Sequence, residues 1–176
     1  MMAIALSGKK GTGRAALIDD EDWPLVEGRK WRLFEYPSAP GRRNKGPYAI
    51  TRVYRADGKP TTMLMHTAIT GWPRTDHEDH NGLNNQRSNL RPATSAQNQH
   101  NRRSNIKGSS RYKGVHWVTG HRRWRAMIRI DGTQRYIGQF TSEEEAALAY
   151  NYAALEIYGA YACLNPVDGK TGYPAA

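Results

Sequence analysis

Three residues in the middle of the chain, Asp76, His77 and Asn98, are of the types that hydrolyse phosphodiesters. A carboxylate and an amide carbonyl are hard oxygen donors that suit Mg²⁺ or Mn²⁺. Two such protein ligands, with waters and a phosphate, make an ordinary shell for one ion. An imidazole beside it titrates near working pH and is the side chain best able to take a proton from an attacking water. The ion would stabilise charge on the pentacovalent phosphate and on the leaving oxygen, work that grows in the transition state. No small-molecule cofactor is called for. Neighbours on a regular strand face opposite ways, so Asp76 and His77 can share a site only if the strand bends or ends there.

Other donors crowd the same stretch: His66, His80, Asn89, His100 and Asn101. The spacing His77-x-x-His80, with His100 further on, leaves a transition-metal site as a second reading. Cysteine does not help it, because Cys163 stands alone and excludes both an internal disulfide and a site of paired thiolates. His66 reads equally as a core histidine or as site support or a phosphate contact. His100 reads as a helix residue facing solvent or DNA. An asparagine-rich loop bonding its own turns would account for Asn84, Asn85 and Asn89, but not for Asp76, His77 and Asn98 at their spacings.

Positioning these residues takes a strand, a long loop, a strand and a helix over residues 61–104. A short element at 63–69 is closed by Gly71, residues 75–77 end a strand, and Asn81-Gly82 and Asn84-Asn85 turn the loop. Residues 89–93 return as a strand, and Thr94 or Ser95 caps a helix to about Arg103. Before this lies a β-rich region, residues 1–60, with strands at 15–18 and 48–54 and a turn at Asp57-Gly58. It carries little chemistry. Gly8, Gly11 and Gly13 sit in the wrong order for a phosphate loop and read as a flexible turn, and residues 36–46 as an exposed loop.

After a polar linker at 105–110, three β-rich runs at 114–118, 124–130 and 134–140 are separated by Thr119-Gly120 and Asp131-Gly132. A three-stranded antiparallel meander is expected. Thr141 with Glu144 reads as a capping box opening an alanine-rich helix to Tyr158, stopped by Gly159. Alanines 146, 147, 149, 153 and 154 would let it lie close to the sheet. Residues 166–176 form a tail. The expected class is α+β.

The chain has 176 residues and a net charge of +10. Between Arg102 and Arg135 ten Lys/Arg face one acid, Asp131, so that block alone carries +9. Interleaved Tyr112, Trp117, Trp124 and Tyr136 point to a folded polyanion footprint rather than a tail. The length excludes a large multi-domain enzyme. The mean hydropathy of −0.80 and the lack of any apolar run near the ~18 residues of a span exclude an integral membrane protein. The start MMAIALSGKK has its charge after a short apolar patch, the reverse of a secretory signal, so an intracellular location is expected.

The run from Thr75 to Asn101, with Asp76-His77, Asn81-Gly82, Asn89-Leu90-Arg91-Pro92 and Asn98, resembles the HNH motif of phage and intron homing endonucleases, the ββα-metal nucleases. The upstream Met65-His66 belongs to the likeness, which covers about 63–103. It implies a ββα-metal module with His77 as general base and Asp76 and Asn98 as ligands of one ion. Asn89 would be the middle residue, holding the hairpin and the imidazole.

Residues 109–165 resemble the plant ethylene-response-factor (Apetala-type) DNA-binding domain, through Arg111-Tyr112-Lys113-Gly114-Val115, Trp124-Arg125-Ala126-Met127-Ile128, Tyr136-Ile137-Gly138-Gln139-Phe140 and the run from Ala146 to Asn151. The likeness implies the sheet along the major groove with the helix behind it. Alternation agrees: Trp124, Ala126, Ile128 and Ile130 share one face of a strand, while Arg123, Arg125, Met127 and Arg129 share the other. Trp124 is either a DNA contact or a core residue. Arg123, Arg125 and Arg135 are candidates for base contacts, and Arg111, Arg122 and Arg129 for bases or phosphates. Two functions stand: a monomeric nuclease on double-stranded DNA addressed by its C-terminal domain, or a DNA-binding regulator with a degenerate nuclease module. The presence of all of Asp76, His77 and Asn98 favours the enzyme.

Overall fold

The computed structural model describes residues 1–35, 46–102 and 108–167. The expected loop at 36–46, save Gly46, lies outside them, as do the expected helix end at Arg103, linker positions 105–107 and the tail from 168. The chain divides into two compact units, residues 1–95 and 96–176. It is mixed α and β, with four small antiparallel sheets among the described residues.

In the first unit, β1 (Met2–Ala5) pairs with β2 (Ala15–Ile18), Ala3 opposite Leu17. A short helix α1 (Trp23–Val26) leads to the meander β3 (Arg32–Glu35), β4 (Pro47–Tyr54) and β5 (Pro60–Leu64). On β4 Ala49 and Thr51 are buried while Arg52 is exposed. This alternation is what a half-covered strand requires. The helix α2 (Met65–Thr70) stops at Gly71, whose φ of 68° is left-handed backbone that suits glycine. A hairpin of β6 (Thr75–His77) and β7 (Leu90–Pro92) follows, Asp76 opposite Arg91 and His77 opposite Leu90. The second strand is shorter than expected, because Asn89 ends a 3₁₀ turn, Arg87–Asn89.

One core joins most of these elements: Leu6, Ile18, Val26, Trp31, Leu33, Met65, Ile69 and Leu90 lie in a single buried cluster. Leu90, at the root of the hairpin, therefore packs with residues of the first 60.

The helix α3 (Ser95–His100) spans the division, and from Ala96 onward it belongs to the second unit. The Nζ of Lys113 donates to the carbonyl of His100, and the His100 ring stacks on Tyr158 with centroids 3.9 Å apart. His100, expected to face solvent or DNA, is half-buried, with one ring face against Tyr158. The meander is as expected: β8 (Val115–Val118), β9 (Arg123–Ile130) and β10 (Thr133–Phe140), with β9 central. Asp131 and Gly132 turn the β9-β10 hairpin at φ 47° and 80°, the sense that matches strand twist. The helix α4 (Glu143–Tyr158) starts one residue later than expected. Ser142 is the cap: its Oγ accepts from the amides of Glu144 and Glu145, and Glu145 reaches back to the Ser142 amide. Ala146, Ala147 and Ala154 are fully buried against the sheet, whereas Ala149 and Ala153 are only half-buried.

A buried asparagine pair closes this unit. Asn151 Nδ2 donates to the Asn165 carbonyl at 2.9 Å, and the Asn165 amide donates to Asn151 Oδ1 at 2.7 Å. The Asn165 side chain also exchanges two hydrogen bonds with the backbone of Lys113, so the two ends of the unit are buttoned together.

Candidate active site

His77 is the last residue of β6, so the strand ends where Asp76 and His77 would otherwise part, and both are buried, each 6% exposed. The His77 Nε2 lies 3.5 Å from Asn85 Oδ1. Asn85 is fully buried, and its Nδ2 donates to the Leu83 carbonyl, which fixes which end of the amide faces the ring. Oδ1 can only accept, so Nε2 carries the proton and Nδ1 is the basic nitrogen.

The His77 ring lies 5.0 Å from His66 and 5.9 Å from Tyr48, edge-on and tilted respectively. Burial lowers the His77 pKa, against weaker upward pulls from the Asn85 hydrogen bond and from Asp79 and Asp76. The imidazole is therefore held neutral, the state a base needs. His66, 8% exposed, is pushed down to about 4, by burial first and by His77 second.

The loop that carries Asn85 is held by the N-terminal region. The Leu17 amide donates to the Leu83 carbonyl and the Asn85 amide to the Leu17 carbonyl, both at 2.8 Å. Asp19 accepts from the amide of Arg87 and from Gln86 Nε2, and Asp22 Oδ1 accepts from Arg87 Nε and Nη2 at 3.0 and 2.6 Å. Residues 1–60, expected to carry little chemistry, thus seat the loop that orients the histidine. On the other side Gly82 meets β4 so closely that a Cβ there would stand 2.5 Å from the Pro47 carbonyl and 2.6 Å from the Tyr48 ring.

Asn89 pins the loop to itself: its Oδ1 accepts from the Asp79 amide, and its Nδ2 donates to Asp79 Oδ1 and to the Asn84 carbonyl. It holds the hairpin, while the residue at the imidazole is Asn85, which the sequence offered only as a turn former. His80 takes the left-handed turn position at φ 66°. Asp76 Oδ2 receives Arg91 Nε and Nη2 at 2.9 and 2.7 Å. Asn98 is half-buried on α3 and Asn101 buried just beyond it, both in the second unit. Among the described residues no three His, Cys, Asp or Glu side chains are grouped for a metal, so the His77, His80 and His100 trio is not assembled.

In the second unit Arg123, Arg125 and Arg129 share the outer face of β9, and the registers add His116 opposite Arg125, Gln134 opposite Arg129 and Tyr136 opposite Met127. Arg135 pairs with Ile128 and so stands on the helix side of the sheet. This departs from its expected grouping with Arg123 and Arg125. Tyr136 is exposed beside Arg125, whose guanidinium lies 5.9 Å over its ring. The Arg125 Nε is buried with no hydrogen-bond partner among the described residues. Trp124 packs on the core cluster and edge-on to Trp117 at 5.1 Å. Arg122 is exposed in the left-handed turn before β9. Arg111 is exposed too, donating to the Tyr112 hydroxyl with Glu144 3.6 Å away.

Comparison with known proteins meets this geometry from outside. The chain is 32% identical over 160 residues to an uncharacterised HNH endonuclease of Acanthamoeba polyphaga mimivirus, covering 90% of the chain and 79% of that protein. Over 61 residues it is 44% identical to an AP2-like ethylene-responsive transcription factor of Arabidopsis thaliana. It is also 41% identical over 68 residues to the dehydration-responsive element-binding protein 2D of the same plant. These matches span 34% and 38% of the chain but only 11% and 32% of the plant proteins. No family model and no solved structure matches. With that likeness running over nine-tenths of its length and a buried histidine where the motif puts it, the chain belongs to the HNH endonuclease family.

Proposed function

We propose that the protein is a divalent-metal-dependent endonuclease that hydrolyses phosphodiester bonds in double-stranded DNA, with a second unit that binds the duplex. The observation that carries this reading is the His77 ring, buried, kept neutral and presented through Nδ1 by the bond from Nε2 to Asn85. In the proposed reaction Nδ1 takes a proton from water as its oxygen bonds to phosphorus. The bond to the leaving deoxyribose oxygen then breaks, and that oxygen takes a proton from solvent.

The resemblance gives one Mg²⁺ or Mn²⁺ ion to Asp76 and Asn98, and the donor chemistry fits. Both offer hard oxygens, and Arg91 grips Asp76 Oδ2 and so sets the plane of the carboxylate. When bound, the ion would supply charge stabilisation for the phosphorane and the leaving oxygen. Asn89 keeps the loop closed around Asp79. For the second unit the reading rests on the arginine face of β9 and on the plant relatives, named as transcription factors and an element-binding protein. Arg123, Arg125 and Arg129 are assigned to the duplex, with Arg111 and Arg122 toward its backbone and Tyr136 available for stacking. The reading takes the protein as a monomer.

The test is supercoiled-plasmid cleavage with and without Mg²⁺ for the full chain and for His77→Ala. Metal-dependent cutting that falls by at least ~10²-fold in the variant, with DNA binding kept, is expected. Binding without cutting under any divalent ion would instead leave a DNA-binding regulator with a degenerate nuclease module.

A further inference from the structure

We propose that the outward face of the β3-β4-β5 sheet in the first unit is a second site for the DNA backbone, one that holds the strand a few nucleotides from the bond His77 attacks. The inference rests on the nuclease reading above. A shallow concavity of about 360 Å³ is lined by Arg29, Lys30, Arg32 and Arg52, with Ile50 and Thr62 between them. All four cations are exposed, and none pairs with an acid among the described residues. Four cations gathered without counter-charge are costly unless a polyanion meets them.

Register puts them on the face that leads to the histidine. Arg32 is opposite Ile50, and Arg52 is opposite Thr62, so Arg32, Ile50, Arg52 and Thr62 share one face. Two residues before Ile50 on the same face is Tyr48, whose ring lies 5.9 Å from that of His77. The four steps from Tyr48 to Arg52 cover roughly 13 Å of strand, and duplex DNA rises about 3.4 Å per base pair. A phosphate at His77 therefore leaves the backbone of the same strand a few nucleotides along at Arg52. The sequence hides this patch because the residues outside 102–135 nearly balance in charge. In the fold the balancing acids are elsewhere: Asp19 and Asp22 are spent on Gln86 and Arg87, and Glu35 on Arg14.

The experiment compares full-length wild type, Arg32→Gln/Arg52→Gln, Arg32→Lys/Arg52→Lys and Arg14→Gln. Duplex affinity is measured over a salt series in EDTA, and plasmid cleavage over a DNA series in Mg²⁺. Each phosphate contact contributes ~0.9 to the slope of log affinity against log salt, so the double Gln variant should have a slope shallower by about 2, and the Lys pair should restore it. Cleavage by the Gln pair should need roughly ten times more DNA for half-maximal rate with the same saturated rate, a binding effect without a chemical one. Arg14→Gln, which loses only an exposed pair with Glu35, should keep the wild-type slope. An unchanged slope in the Gln pair would overturn the second site even if the wild type cuts. A shallower slope in a protein that cuts nothing would support the site and remove the nuclease reading.

Discussion

Acidification from pH 7 to pH 4.5 should destabilise the first unit mainly through His66. Its folded pKa of about 4 lies below the unfolded value of 6.5 because burial disfavours the cation and His77 adds to the cost. At falling pH the unfolded chain takes the proton first. The neutral ring's contribution to stability is therefore complete above about pH 6.5 and is lost as pH falls toward 4. A difference of this size corresponds to roughly 3 kcal/mol in full, of which about 2.5 kcal/mol is gone by pH 4.5. His77 is shifted the same way and adds to the loss.

Replacing His66 by Phe keeps an aromatic ring against Tyr48 and His77 and removes the titration. The assay is urea unfolding at pH 7 and pH 4.5. Wild type should lose at least about 2.5 kcal/mol between the two, and His66→Phe should lose less by about that amount. Equal losses in the two proteins would refute the burial argument.

Asn85→Ala should lower the saturated cleavage rate by roughly 10–100-fold, as removal of a histidine's supporting partner does. Asn85→Asp, which keeps the acceptor, should restore most of the rate with the acid limb of the pH–rate profile moved up. EDTA should stop cleavage, Mg²⁺ or Mn²⁺ should restore it, and Asp76→Ala should stay inactive at ordinary ion concentrations; rescue by zinc alone would count against hard-ion chemistry. Arg91→Met strands Asp76 as a buried carboxylate and should cost about 3–5 kcal/mol in urea unfolding, with a loss under 1 kcal/mol ruling out the pair as structural. Selection from random duplexes should show Arg125→Ala relaxing preference at one base pair by about 1–3 kcal/mol, while Arg135→Ala, on the helix side, leaves the preference intact.

Much of this was legible in residue order, and the exceptions share a cause. The hairpin and the meander follow from local alternation and turn chemistry, so Asp57-Gly58, Gly71 and Asp131-Gly132 fall where expected. The cap moved from Thr141 to Ser142 because either hydroxyl has a glutamate three residues on, and only the path of the chain into α4 chooses between them. The partners of His77 were out of reach. Asn85 shares its residue type with turn-forming neighbours, and its selection depends on Leu17, 68 positions earlier, pairing with the loop. The face of Arg135 is hidden for a similar reason: it is set by its register against Ile128, which no count of basic residues contains.

The grip of Lys113 and Tyr158 on His100 bears on how the parts of this protein could be exchanged. A designer who wished to give the nuclease a new address would cut at the polar linker, joining residues 1–104 to a foreign reader. That junction takes α3 away from the lysine and the tyrosine that hold its last turn, and a six-residue helix is too short to persist without tertiary support. A transplant that also carries Lys113 and Tyr158, or that rebuilds an equivalent cation and ring on the new reader, keeps the helix bearing Asn98 folded. Portability in this chain is decided at that stacked pair rather than at the linker.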